Sequence, residues 1–318
     1  MDSGIIQPKP MTTLPSQSPI ATRKSAFAQL SLFARDIKIS HTLFALPWAI
    51  LSTFLASKET HHPIAAGMVV LILICMVTAR TVAMAANRLL DAKLDQLNPR
   101  TARRAIPSGA LSRSFVGSIV VVCILAFVSA CYGFYYFYNN PWPILLSLPV
   151  LAFISSYPFL KRFTRLCHYY LGAALALAPI CAWVAISGQL NWPPLIMAGT
   201  VLLWTAGFDI LYACQDYQSD LETGVFSVPS KLGIAKALWV SRITHLACVG
   251  LLITLGVVSP TLSTFYFVGV AVAIALLIVE HSLVSPTDLS KLNLAFFTIN
   301  GVISLLISTL GLIDIFRH

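Results

Sequence analysis

Residues 64–104 read IAAGMVVLILICMVTARTVAMAANRLLDAKLDQLNPRTARR. From 64 to 86 the chain is apolar apart from Thr78, Arg80 and Thr81, and about 20 such residues let a helix cross a hydrocarbon core of roughly 30 Å. Residues 87–104 then place two aspartates, five cationic residues and two asparagines in a chain that is only 10% charged. A membrane helix that ends this way carries something beyond a boundary.

The rest of the chain matches the first part of that stretch. With 57% hydrophobic residues over 318, a soluble protein would need an apolar surface, so the expectation is an all-α polytopic membrane protein. Apolar runs at about 40–57, 63–86, 114–138, 141–160, 167–188, 193–213, 235–257, 262–283 and 292–313 give about nine transmembrane helices. A turn is expected in YNNPWP, residues 138–143, where Pro141 and Pro143 interrupt the pattern. If the N-terminus is inside, 18 of the 21 Lys and Arg residues fall in inner segments, which sets the orientation. The net charge of +9 then reflects topology and an anion site, and nucleic acid is not needed to explain it. Residues 1–29 read as a disordered cytoplasmic tail, with no signal or transit peptide, and 30–318 as a single intramembrane domain. The seven cysteines form no CxxC pair and read as small buried hydrophobes.

Six of the twelve acidic residues lie in two clusters: Asp91 and Asp95, then Asp209, Asp216, Asp220 and Glu222. On a helix Asn87, Asp91 and Asp95 stand four apart and form one polar stripe, with Arg80 three turns earlier on the same face. An arginine inside a span faces a cavity or a partner. In FDILYACQDYQSDLETG, residues 208–224, Asp209, Asp216 and Asp220 form a second stripe. Asp91 precedes Asp216, and Asp95 precedes Asp220, by the same interval of 125 residues. Both stripes end an even-numbered span, which suggests two four-helix halves in parallel orientation. Aspartates at the C-terminal ends of helices oppose the macrodipole, so five at helical spacing need a cation.

Hard oxygen donors favour Mg2+, held by carboxylates together with substrate phosphates. The cations of the neighbouring loops, Arg100, Arg103, Arg104, Lys161, Arg162 and Lys231, would complete a diphosphate site. A neutralised diphosphate is a good leaving group, and an allylic carbon attached to it can ionise. Aromatic faces would shelter that cation, with Phe44, Trp48, Tyr157, Phe208 and Tyr212 as candidates. His41 and His168 read as interfacial packing, and Glu222 as a solvated charge. Glu280, His281 and Asp288 read as a water-facing connection between spans. The competing class is an ion or proton transporter, whose ionisable groups usually sit near the midplane; here both stripes lie at helix ends beside basic loops.

NRLLDAKLD (87–95) resembles the first aspartate motif of the UbiA-type intramembrane prenyltransferases. DILYACQDYQSD (209–220) resembles their second motif in the form seen in 4-hydroxybenzoate polyprenyltransferases. IKISHTLFALPWA (37–49), NPRTARRAIPSG (98–109) and YPFLKRFT (157–164) stand in the order that family shows. The resemblance implies nine helices around a central cavity and Mg2+-dependent transfer of a polyprenyl group from polyprenyl diphosphate to an aromatic ring. It implies Asn87, Asp91, Asp95, Asp209, Asp216 and Asp220 as ligands of the metal and diphosphate, with Lys161 and Arg162 on the diphosphate. The acceptor it implies is 4-hydroxybenzoate, in ubiquinone-type synthesis, or 1,4-dihydroxy-6-naphthoate, in futalosine-route menaquinone synthesis. Arg80 or Arg103 would hold the acceptor carboxylate in either case. The setting would be a bacterial cytoplasmic (inner) membrane, with the site facing the cytoplasm. Arg88 departs from relatives that have an acid after the asparagine.

Overall fold

The computed structural model describes residues 25–37 and 44–317. Helix α1 is Ala26–Asp36, α2 Leu46–Thr60, α3 Ala66–Leu97, α4 Arg113–Tyr138, α5 Trp142–Leu160 and α6 Cys167–Ser187. Helix α7, Trp192–Ala213, runs through the 3-10 turn Cys214–Asp216 into α8, Tyr217–Thr223. Then come α9 Val228–Leu232, α10 Ile234–Val258, α11 Thr264–Ser282, a π-helical turn Leu294–Ile299, and α12 Asn300–Arg317.

Eight of these helices, counting α7 to α8 as one, are long and apolar enough to cross a membrane. The first expected span is shorter among the described residues: α2 has 15 residues, about 22 Å at 1.5 Å per residue. Residues 38–43, including His41, lie outside the described residues, as do residues 1–24 of the expected tail. Residues 26–29, expected within that tail, are helical, and Ser25 caps α1 through the Ala28 N–H.

Local chemistry sets the helix ends. Pro follows the N-cap within two residues in α2, α5 and α7, where its fixed φ suits the first turn and its missing N–H costs nothing. The turn expected at 138–143 is present. Asn139 ends α4 at φ 54°, and the Asn140 amide donates to the carbonyls of Val184 and Ala185, tying this corner to α6.

Around the ring, α3 packs on α4 and α5, α5 on α6, α6 on α7 and α2, and α7 on α10. Helix α12 packs on α11 and returns to α2, closing the bundle around a cavity. The two acid-bearing helical stretches, Ala66–Leu97 and Trp192–Thr223, have 32 residues each. At 1.5 Å per residue that is roughly 48 Å, well beyond a hydrocarbon core of about 30 Å. Both therefore carry their last turns out of the apolar layer, as the matched aspartate intervals anticipate.

Two close contacts hold the second half. A Cβ on Gly172 would lie 2.3 Å from the Leu202 carbonyl oxygen of α7, so α6 and α7 touch backbone to backbone. Gly172→Ala is expected to destabilise the protein by about 1–3 kcal/mol, read as a lower unfolding midpoint in detergent; an unchanged midpoint would refute the backbone contact. At the opposite end of the bundle from the acids, Asp314 of α12 caps the start of α11. Its carboxylate accepts from the N–H groups of Ser263, Phe265 and Tyr266 and from the Ser263 hydroxyl, at 2.7 to 3.3 Å. A buried carboxylate satisfied by four donors stabilises the helix start it faces.

Candidate active site

The cavity has a volume of about 490 Å3. Asn87, Asp95, Asp209, Asp216 and Asp220 line its polar end, together with Arg80, Arg100, Arg104 and Lys161. Its apolar part runs between α3, α4, α5 and α6, past Ile72, Phe127, Phe134 and Val150. The two acidic stripes, separated by more than a hundred residues, thus share one chamber.

Each carboxylate already has a partner. Asp91 is fully buried and does not reach the cavity surface; Lys161, which does, forms a close ion pair with its Oδ2. Neither Asp91 oxygen has a donor in hydrogen-bond geometry, and Arg162 Nη2 is 3.7 Å from Oδ1. Arg104 Nη1 donates to both oxygens of Asp95, at 2.8 and 2.9 Å. Across the chamber, Arg100 grips Asp216 bidentately, Nε at 2.8 Å and Nη2 at 2.6 Å. Asn98 adds a bond to Asp216 Oδ1 at 2.9 Å. Burial alone would lower the Arg100 pKa, but the hydrogen bond and charge of Asp216 raise it above the ordinary value. The loop after the first motif therefore reaches over to the second. Asp220 accepts from the Ser227 hydroxyl at 2.7 Å.

Asp209 is held by His168. The Val228 N–H donates to His168 Nε2 at 3.1 Å, which makes that nitrogen the acceptor and leaves the ring proton on Nδ1. From there it donates to Asp209 Oδ2 at 2.7 Å, so a neutral imidazole satisfies both neighbours. His168 is thus a cavity-lining member of the site and not the packing residue that its place at a helix start suggested. The same turn is tied further: the Phe226 N–H donates to the Lys161 carbonyl at 2.7 Å, so Lys161 and His168 are positioned together.

Several expected members stand elsewhere. Arg103 is exposed and does not line the cavity. Lys231 is exposed, with its ammonium 3.7 Å from the centre of the Phe226 ring; Phe226, not Lys231, meets the cavity. Arg162 lies outside the chamber and donates to the Leu90 carbonyl at 2.9 Å. Trp48 is buried behind the wall against Trp204, while Phe44, Tyr157, Phe208 and Tyr212 line the cavity. Loop direction and helix rotation decide these cases, and residue type alone does not report either.

Arg88, an anomaly in the motif, has a partner far away. Its Nε donates to Asp36 Oδ2 at 3.0 Å and its Nη2 to the Asp36 carbonyl at 3.1 Å. The Ala105 N–H donates to the other Asp36 oxygen at 2.9 Å, and Arg80 Nη2 to the Ile37 carbonyl at 3.1 Å. Arg88 and Arg80, two turns apart on α3, therefore hold the end of α1 against the basic loop.

Among the described residues no three His, Cys, Asp or Glu side chains converge as a metal cluster, since the carboxylates stand against separate partners. The donor chemistry still fits a hard cation. The facing groups are oxygen donors, and the wholly buried Asp91 carboxylate gathers positive charge, with the Lys161 ammonium in a close ion pair and Arg162 3.7 Å from Oδ1; hard oxygens of this kind suit Mg2+.

A family model, that of the UbiA prenyltransferase family, matches residues 45–302. The chain is 30% identical over 285 residues to a 4-hydroxybenzoate octaprenyltransferase of Vibrio atlanticus, covering 89% of this chain and 95% of that protein. It is 30% identical over 272 residues to a protein of the same name from Marinobacter nauticus, covering 85% and 86%. Among solved structures, a UbiA homolog from Aeropyrum pernix K1 aligns with a TM-score of 0.73 at 28% identity, covering 88% of this chain and 98% of that one. A UbiA homolog from Archaeoglobus fulgidus, bound to DMAPP and Mg2+, aligns with a TM-score of 0.65 at 18% identity, covering 90% and 99%.

Proposed function

The chain belongs to the UbiA prenyltransferase family, and from that premise we propose that it transfers a polyprenyl group from polyprenyl diphosphate to the ring of 4-hydroxybenzoate, with Mg2+, for quinone synthesis. The observation that carries this reading is the meeting of two oxygen-donor stripes and cavity-lining cations, Lys161, Arg100 and Arg104 among them, at the polar end of an otherwise apolar chamber. The similarity to proteins named 4-hydroxybenzoate octaprenyltransferase supports the acceptor. The proposed setting is a bacterial inner membrane with the chamber's polar end toward the cytoplasm, which the distribution of Lys and Arg supports.

Asn87, Asp91, Asp95, Asp209, Asp216 and Asp220 are the proposed holders of Mg2+; five of them line the cavity, and Asp91 lies behind Lys161, which would have to move aside for it to reach the metal. When bound, the metal would neutralise the diphosphate and so make it a better leaving group. The chain's own cations do the rest. Lys161, Arg100 and Arg104 neutralise carboxylates at the polar end of the cavity, and they are the proposed donors to the diphosphate oxygens. Arg80 lines the cavity from within the membrane part of α3 and is the proposed contact of the acceptor carboxylate. Tyr157, Phe208 and Tyr212 exclude water from the allylic carbon and present ring faces to its developing charge. The ring carbon ortho to the phenol oxygen then bonds to that carbon as the bond to diphosphate breaks, and the ring proton passes to the released diphosphate or to a cavity carboxylate.

The test is transfer from a labelled long-chain prenyl diphosphate in membranes containing the protein. Parallel incubations contain 4-hydroxybenzoate, 1,4-dihydroxy-6-naphthoate or no acceptor. Product with 4-hydroxybenzoate is expected. Product with the naphthoate alone would overturn the acceptor, and product with neither would overturn the reading. Chelation of divalent ions is expected to abolish transfer and added Mg2+ to restore it; transfer that survives chelation would refute the metal requirement.

A further inference from the structure

Glu280 and Asn300 are wholly buried and lie behind the cavity wall, not on it. Glu280 lies in the last turn of α11, where a water-facing connection was expected; of Glu280, His281 and Asp288 only Asp288 is exposed, and His281 is half-buried. The structure gives the pair an organised role. The Trp204 indole N–H donates to Asn300 Oδ1 at 2.7 Å. Because an indole can only donate, this fixes the orientation of the amide. Asn300 Nδ2 then faces Glu280 Oε1 at 2.7 Å and the carbonyls of Ala295 and Phe296 at 3.1 and 3.3 Å. Those two carbonyls belong to the π-helical turn Leu294–Ile299, and such turns often mark functional sites. The second Glu280 oxygen has no hydrogen-bond partner and lies 3.8 Å from His245 Nδ1.

The product of this network is the placement of Phe296. Its ring lines the cavity and stacks on Tyr212 with centroids 4.0 Å apart and planes at 25°. It also meets Phe44 and Phe208 edge-on, at 5.6 and 5.2 Å. Tyr212 stands between Asp209 and Asp216 on α7 and the 3-10 turn, so the stacked pair forms the aromatic wall beside the second acidic stripe. We propose that Asn300 and Glu280 are positioning residues that hold the π-helical turn, and through it Phe296 and Tyr212, against the reacting allylic carbon. The proposal rests on the prenyl-transfer reading and assigns the wall a role in stabilising charge that develops only as the diphosphate departs.

The rate constant for consumption of labelled prenyl diphosphate in a single turnover tests this, because it does not depend on how much protein is folded. Asn300→Ala is expected to lower it roughly 10- to 100-fold while leaving the KM for prenyl diphosphate within about twofold. Glu280→Leu is expected to do the same, and Glu280→Gln, which keeps the Oε1 acceptor, to stay within about threefold of the parent. In a Phe296→Ala background, adding Asn300→Ala is expected to change the rate by less than about twofold, since both act through one ring. Independent multiplication of the two effects, a parent-like rate for both Asn300→Ala and Glu280→Leu, or failure of Glu280→Gln to rescue would overturn the proposal. An unaltered protein that consumes no prenyl diphosphate would overturn the prenyl-transfer reading and this role with it, and is told apart by the parent control.

Discussion

Asp91→Asn is expected to lower prenyl transfer by a factor of about 1,000 or more. Asparagine keeps the volume and one oxygen, so the packing of a side chain with no exposure is preserved while its charge is lost. Asp91 is also the carboxylate whose close partner is the Lys161 ammonium. Without that charge, the proposed metal loses a ligand and Lys161 loses the group that holds it at the cavity. Initial rates at saturating prenyl diphosphate, over a titration of Mg2+, provide the measurement. A variant within tenfold of the parent at every Mg2+ concentration would sink the assignment.

Lys161→Met should separate stability from activity. Removing the ammonium leaves a wholly buried carboxylate without its close ion-pair partner, and breaking a buried pair in this way costs about 3–5 kcal/mol. The side chain also lines the cavity, so a fall of roughly 100- to 1,000-fold in kcat/KM for prenyl diphosphate is expected from the lost phosphate contact. The Lys161→Met, Asp91→Asn double variant removes both charges. Its unfolding midpoint in detergent is expected to return most of the way to the parent value, while its activity stays as low as that of either single variant. If the double variant unfolds as early as Lys161→Met alone, the buried pair is not what Lys161 contributes to stability.

The repeat of the site was legible in advance, because the interval between Asp91 and Asp216 equals that between Asp95 and Asp220. Helical periodicity then places each set on one side of its helix. The structure answers with two acid-bearing stretches of equal length on one chamber. What could not be read were the directions of side chains outside that periodicity. Arg103 and Arg104 are neighbours in one basic loop, yet only Arg104 turns inward to Asp95. Glu280 and His281 stand side by side at a helix end, where composition alone suggests water; the partner that buries Glu280 is Asn300, twenty residues on. The Arg88 to Asp36 bond spans 52 residues and depends on how α1 lies across α3. Such pairings follow from tertiary packing, for which local propensity carries no signal.

The cap that Asp314 places on α11 has a consequence for how the chain is made. The Ser263 N–H and the carboxylate that accepts from it are 51 residues apart. As the polypeptide emerges, α11 enters the bilayer with the donors of its first turn uncapped, and they stay so until α12 follows. Unsatisfied backbone groups are costly in lipid, and the Asp314 carboxylate is the group that satisfies these donors in the folded protein. Helix α12 also packs on α2, made long before it. Its arrival thus sets the last helix of the chain against α2 and closes the ring of helices, and a ribosome stalled before Asp314 would leave the start of α11 without its cap.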